Sequence, residues 1–194
     1  SLRTLLELFR RLWVRDGYQD REQQQRERER GAEALRAWYG RTDTTVVPHA
    51  TELGLQAAWG DIVLKGRLDR VDAEPGSGRG LVVVDYKTGR RPVSQEAADA
   101  DEALTIYAAL VERRLGRPVT SMVLDYVVAG EQVVTERPPE VLRRRLDDVL
   151  ATAATLRADQ EFRPRTGPWC AGCDLLKRCP EGQREVAGLT ARLD

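Results

Sequence analysis

Two short stretches carry side chains that are able to do chemistry together: GRLDRVD, residues 66–72, and VVVDYKTG, residues 82–89. The second runs four apolar residues, counting Leu81, straight into an aspartate and a lysine. Side chains two apart on a strand share a face, so Asp85 and Lys87 point the same way and Tyr86 points the other. Burying either charge unpaired costs several kcal/mol, in practice. Pairing them at a strand end that opens onto a cleft removes most of that cost. Asp69 supplies a third charge near the far end of the preceding strand. A hairpin around EPGSGRG, residues 74–80, brings Asp69 near Asp85. Two carboxylates held together repel, and a divalent cation relieves the repulsion. Hard oxygen ligands suit Mg²⁺ or Mn²⁺. A lysine beside such a cation orients a water or stabilises the charge of a phosphorane-like transition state. Asp69, Asp85 and Lys87 are thus candidate catalytic residues for phosphodiester hydrolysis, with the two aspartates as metal ligands. The bland alternative for Asp85 and Lys87 alone is a surface salt bridge.

The elements that must position this trio follow from periodicity. Leu2, Leu5, Leu6, Phe9, Leu12 and Trp13 recur at helical spacing. Asp20 to Tyr39 predicts a second helix whose first half, DREQQQRERER, is a solvated face laced with i,i+4 pairs. Strands are expected at 52–59 and 61–72. In the second, Ile62, Leu64 and Leu68 take one face, and Val63, Lys65, Arg67 and Asp69 take the other. Residues 81–86 are apolar on both faces, as in a strand covered on both sides. One helix is predicted over 97–115, strands over 121–128 and 131–136, and a last helix over 138–156. The order of helices, three strands, helix, two strands and helix implies an α/β fold, a mixed sheet flanked by helices. A core spanning residues 1–160 and a cysteine-containing segment, 161–194, packed on it are the expected organisation.

The pair of motifs resembles the PD-(D/E)XK nuclease superfamily, and in particular its RecB-like exonuclease branch. Their order, their spacing and the trailing Thr88-Gly89 match that pattern. ALTIYAAL, residues 103–110, is similar to the branch's Q-L-x-x-Y-A segment. The resemblance implies a restriction-endonuclease-like sheet and a metal-dependent DNA nuclease, an exonuclease of DNA repair or recombination. Its substrate would be DNA with free or single-stranded ends. It assigns metal binding to Asp69, Asp85 and the Tyr86 backbone carbonyl, and catalysis to Lys87. Tyr107 falls on the family's tyrosine, and Glu52 sits where a first-strand glutamate often occurs; both are accessory. A helicase, fused or bound, is the expected partner. A nuclease-like module that binds DNA or a helicase without cutting is the alternative.

Two positions depart from the pattern. Ala103 replaces the glutamine before the tyrosine. The branch's N-terminal histidine has no counterpart, because the one histidine, His49, follows Pro48 and precedes the first strand. The expectation is that the chain begins after the histidine motif. Near the other end, TGPWCAGCDLLKRCPEG holds Cys170, Cys173 and Cys179 between Pro168 and Pro180. An odd, clustered set of cysteines reads as metal or cluster ligands more readily than as disulfides. The resemblance, here to AddB-type and CRISPR adaptation nucleases, implies a [4Fe-4S] cluster held by this triplet and an upstream cysteine, in a longer parent chain. Zinc held by the three with His49, or free thiols, are the other readings.

The 31 basic and 31 acidic side chains cancel, so any nucleic-acid surface must be local. Arg90 and Arg91 follow the motif strand and are candidate phosphate contacts. Arg143, Arg144 and Arg145 are more simply a solvated helix face. Trp169 either stacks on a base or packs in the cysteine loop. No run of about 18 apolar residues exists, and the start lacks the pattern of a secretory signal, so a cytoplasmic location is expected.

Overall fold

A computed structural model describes residues 1–76 and 78–190. The chain divides inside its fifth helix into two compact units, Ser1–Thr152 and Ala153–Asp194. Among the described residues no helix is long and apolar enough to cross a membrane.

The first unit opens with α1 (Leu2–Leu12) and α2 (Arg21–Arg41). Asp20 caps α2 by accepting from the Gln23 N–H at 2.7 Å, which satisfies one of the orphan donors of the first turn. Five strands follow: β1 (Ala50–Trp59), β2 (Ile62–Ala73), β3 (Leu81–Lys87), β4 (Val119–Tyr126) and β5 (Glu131–Thr135). They lie in the sheet in chain order. β3 and β4 pair in parallel and the other neighbours are antiparallel, so the sheet is mixed. The parallel step needs a long crossover. The expected helix over 97–115 supplies it, but as two pieces: α3 (Gln95–Ala100) and α4 (Glu102–Leu115). The break falls at Asp101, which is extended and caps α4 by accepting from the Leu104 N–H at 2.8 Å. A short polar side chain that bonds ahead to the backbone competes with helix continuation. α5 (Pro139–Ala158) follows β5.

The core lies between the sheet and α4. Val71, Val83, Met122 and Leu124 on the strands meet Leu104, Ala108 and Val111 on the helix, with Leu142 and Leu146 of α5 joining. Each fully buried Leu or Val contributes about 1.5–3 kcal/mol. The opposite face of β3 and β4 is covered by the end of α2: Trp38 stands edge-on to Tyr86, with ring centroids 5.8 Å apart. Covering on both sides accounts for the apolar run of β3.

β1 and β2 carry one irregularity that alternation does not anticipate. Leu68 and Val71 both point into the core, three residues apart, and so do Ala50 and Leu53 across from them. Between each pair the strand loses its phase, at Asp69 and at the facing Glu52. Glu52 has φ of 51°, a left-handed conformation that costs a non-glycine residue about 1–2 kcal/mol. The consequence is that Asp69 leaves the solvent face it was expected to share with Lys65 and Arg67.

The second unit holds two 3₁₀ turns, Pro168–Gly172 and Leu176–Arg178, and α6 (Pro180–Thr190). Cys170 is buried, Cys179 half-buried and Cys173 exposed.

Candidate active site

The β2–β3 ladder is paired from Ala73–Leu81 to Arg70–Val84. One further step sets Asp69 opposite Asp85. There the backbone ladder stops and a side chain continues it: Asp69 Oδ2 accepts the Tyr86 N–H at 2.8 Å. The phase slip makes this bond available, because it frees Asp69 to lean across toward β3. On its other edge β3 stays paired with β4 as far as Lys87–Tyr126. The strand end is therefore held on one side by backbone and on the other by a single bond to a carboxylate.

Asp85 and Lys87 share the face of Val83, as alternation requires. Lys87 Nζ lies 2.6 Å from Asp85 Oδ2. Apart from that ammonium, Asp85 Oδ2 is buried without a hydrogen-bond partner among the described residues. Burial pulls the Lys87 ammonium toward lower pKa. The Asp85 carboxylate outweighs it, helped by Asp101 and Tyr107, and the pKa stands above the ordinary lysine value. Lys87 is cationic at neutral pH and donates hydrogen bonds there.

Tyr107, on the second turn of α4, faces the same cluster. Burial raises its pKa first, and the Asp85 and Asp69 carboxylates raise it further against the pull of Lys87. Its hydroxyl therefore keeps its proton. The ring rests on Gly66: a Cβ there would stand 2.8 Å from Tyr107 Cε1 and 3.0 Å from Leu110 Cδ1. The glycine that opens GRLDRVD thus sets how closely α4 approaches β2. Sequence reasoning passed over it, although a glycine inside a strand is a recognised mark of close approach.

Other candidates lie apart from this cluster. Glu52 is exposed and bonds the Arg67 guanidinium at 2.8 Å. Arg90 points toward α2, 3.7 Å from Glu27, and Arg91 is exposed. With Trp13, Tyr18, Arg30 and Thr88, Arg90 lines a cleft of about 770 Å³. His49 is exposed. In the second unit Trp169 lays its ring against Gly167, donates from Nε1 to the Arg165 carbonyl at 3.2 Å and remains largely exposed. The Cys179 sulfur accepts the Gly182 N–H at 3.3 Å. Among the described residues, no three of His, Cys, Asp and Glu gather as a metal-binding group, the cysteine triplet included.

The trio still suits a hard divalent cation on its donor chemistry. Two carboxylates stand on neighbouring strands one step past the paired ladder, Asp69 has its second oxygen free of the Tyr86 bond, and Asp85 offers a buried oxygen held only by an ammonium. Strand alternation also turns the Tyr86 carbonyl to the β2 side, where its N–H already points.

A model of the PD-(D/E)XK nuclease superfamily matches residues 1–180. No curated protein matches the sequence. Among solved structures, one from Eubacterium rectale described as a candidate exonuclease superposes with a TM-score of 0.46 at 13% identity. The match covers 81% of this chain and 61% of that one, so this chain spans less than two thirds of that protein. The structure of SSO0001 superposes with a TM-score of 0.39 at 15% identity, covering 92% of this chain and 95% of that chain. A five-stranded mixed sheet whose central strand ends in the paired charges of the motif, and a superfamily match over nearly the whole length, lead to one assignment: the chain belongs to the PD-(D/E)XK nuclease superfamily.

Proposed function

We propose that the chain is a metal-dependent deoxyribonuclease domain of RecB-like type that hydrolyses phosphodiester bonds from DNA ends, single-stranded ends included. The observation that carries this is the junction at the end of β3, where Asp69 braces the Tyr86 N–H while Asp85 and Lys87 meet on the face below Tyr107. A binding module has no need of a largely buried carboxylate held by a half-exposed ammonium at a strand end, because burying that charge costs stability.

Nucleases of the superfamily generally use divalent metals, and Asp69, Asp85 and the Tyr86 carbonyl are the groups that would hold Mg²⁺ or Mn²⁺ here. When bound, such a cation supplies Lewis acidity, polarising the phosphate and easing loss of a proton from water. Hydrolysis adds water to phosphorus and breaks one P–O bond, and the leaving sugar oxygen takes up a proton. Lys87 contributes as a cation: it donates to a non-bridging phosphate oxygen as negative charge builds there. Asp85 holds that ammonium in place and keeps it charged. Tyr107, protonated, is a donor at the rim. A role in repair or recombination alongside a helicase, and in the cytoplasm, fits the RecB-like motifs. The spacing of Cys170, Cys173 and Cys179 supports a [4Fe-4S] site in a longer chain. Arg90 and Arg91 remain candidate phosphate contacts.

The test is cleavage of end-labelled single- and double-stranded DNA with Mn²⁺, Mg²⁺ or EDTA. Metal-dependent cutting by the native chain should vanish in Asp85→Ala and Lys87→Ala while their circular dichroism stays native. DNA binding without cutting, unchanged by either substitution, would instead support the non-enzymatic module.

A further inference from the structure

The face of β3 opposite the catalytic charges carries a second polar cluster that hydrolysis does not use. Tyr86 projects there from between Asp85 and Lys87. Its ring and the Arg70 side chain line one cavity of about 240 Å³ together with Trp38, Asp72 and Asp125, and Arg70 is the cation that acts on the Tyr86 hydroxyl against the effect of burial. Arg70 is itself immobilised: its Nε donates to both oxygens of Asp72, at 2.8 and 2.9 Å, and both side chains are largely buried. The Trp38 edge closes the other side of the tyrosine ring. Trp38 is fixed in turn, because its Nε1 donates to Asp125 Oδ2 at 3.1 Å, and Asp125 also takes Arg41 at 2.5 Å and Gln132 at 3.0 Å. Asp125 is 3% exposed and pairs with Tyr86 across the β3–β4 ladder.

From this two-sided grip we infer that Tyr86 and Arg70 are positioning residues that set the presentation of Asp85, Lys87 and the Tyr86 carbonyl toward a bound cation. The physical reason is where the ladder ends. Beyond Arg70–Val84 the strand has no backbone partner on the β2 side, and the single bond from Asp69 to the Tyr86 N–H leaves rotation about the β4 edge weakly resisted. Asp85 and Lys87 flank Tyr86, so any such rotation moves both at once. The aromatic side chain is a lever on the far face, and Arg70 with Trp38 holds the lever still. The inference rests on the nuclease reading and extends it to residues that touch no substrate.

The experiment uses the whole chain and Mn²⁺ itself as the probe. Free Mn²⁺ is titrated by electron paramagnetic resonance for native protein, Tyr86→Phe, Arg70→Lys and the double variant, with DNA cleavage and melting temperature measured beside it. Tyr86→Phe keeps the ring on Trp38 and leaves Arg70 bonded to Asp72, so the melting temperature should shift by no more than about 2–4 °C. Mn²⁺ affinity should fall about tenfold, the lower end for loss of an outer hydrogen bond that orients ligands. Arg70→Lys should cause a similar fall, and the double variant should lose little more than either, because both break one contact. Unchanged Mn²⁺ affinity in Tyr86→Phe overturns the inference and leaves the nuclease reading intact. So do losses in the two variants that simply add. Native protein that neither binds Mn²⁺ nor cuts DNA removes the nuclease reading and this inference with it.

Discussion

At the scale of single residues the site depends on Asp69 doing two things with one carboxylate. One oxygen completes the ladder at Tyr86, and the proposed role of holding a cation falls to the other. Substitutions separate the two. Asp69→Asn retains an acceptor for the Tyr86 N–H and removes the charge. Relief of the repulsion with Asp85 should raise stability slightly, by less than about 1 kcal/mol in urea titration, while cleavage is abolished. Asp69→Ala leaves the N–H without a partner and should cost about 1–3 kcal/mol as well. Equal stability of the two variants would show that the bond is dispensable. Gly66→Ala acts from the opposite side of the junction. Its methyl would collide with the Tyr107 ring and Leu110, and overpacking of this kind costs about 1–3 kcal/mol. If the ring gives way instead of the fold, cutting falls while the melting temperature holds. Trimming the ring in Gly66→Ala/Tyr107→Leu should then restore stability but not activity.

At the scale of elements, the placement of α4 governs where Tyr107 hangs. Arg137, 4% exposed, gathers that region: it donates to Thr105 Oγ1 on α4, to Thr135 Oγ1 on β5, and to the carbonyls of Ala98 and Asp101 at the α3–α4 break. Arg137→Met would strand these acceptors and should cost on the order of 3 kcal/mol, read as a drop in the urea midpoint at constant slope. Arg137→Lys, which reaches fewer of them, should fall between. This hub also marks where sequence reading stopped. The strands, the sharing of one face by Asp85 and Lys87, and the approach of Asp69 were legible, because alternation and a Gly-rich loop are local properties. The break at Asp101 was not, because residues 97–115 carry an unbroken helical period and the oxygens that stabilise the break are satisfied by an arginine far along the chain. The slip at Glu52 and Asp69 was hidden for a similar reason. Apolar alternation looks the same on either side of it, and only the core reveals that both strands have turned. Asp125 went unremarked as well: an acid on a buried strand is explicable only with Trp38, Arg41 and Gln132 around it.

At the scale of the whole molecule, all buried core residues that meet α4 and the sheet lie in the unit ending at Thr152. A chain terminated after Ala158 should keep a cooperative thermal transition and the far-ultraviolet signature of the sheet, both measurable by circular dichroism; loss of the transition would show that the second unit is required for folding. The sheet order, which simply follows the chain, bears on the path by which that fold is reached. Antiparallel neighbours close over short loops, whereas joining Leu81 to Val119 must wait for the α3–α4 crossover. Asp69 therefore meets Asp85 when the β2–β3 hairpin forms, ahead of the parallel closure and before any cation is needed. Their repulsion falls on the climb to the folding barrier rather than on the descent from it. Asp69→Asn should then refold faster than the native chain in stopped-flow experiments while its unfolding rate hardly changes. The charges that make the site useful would be, to the folding chain, a brake.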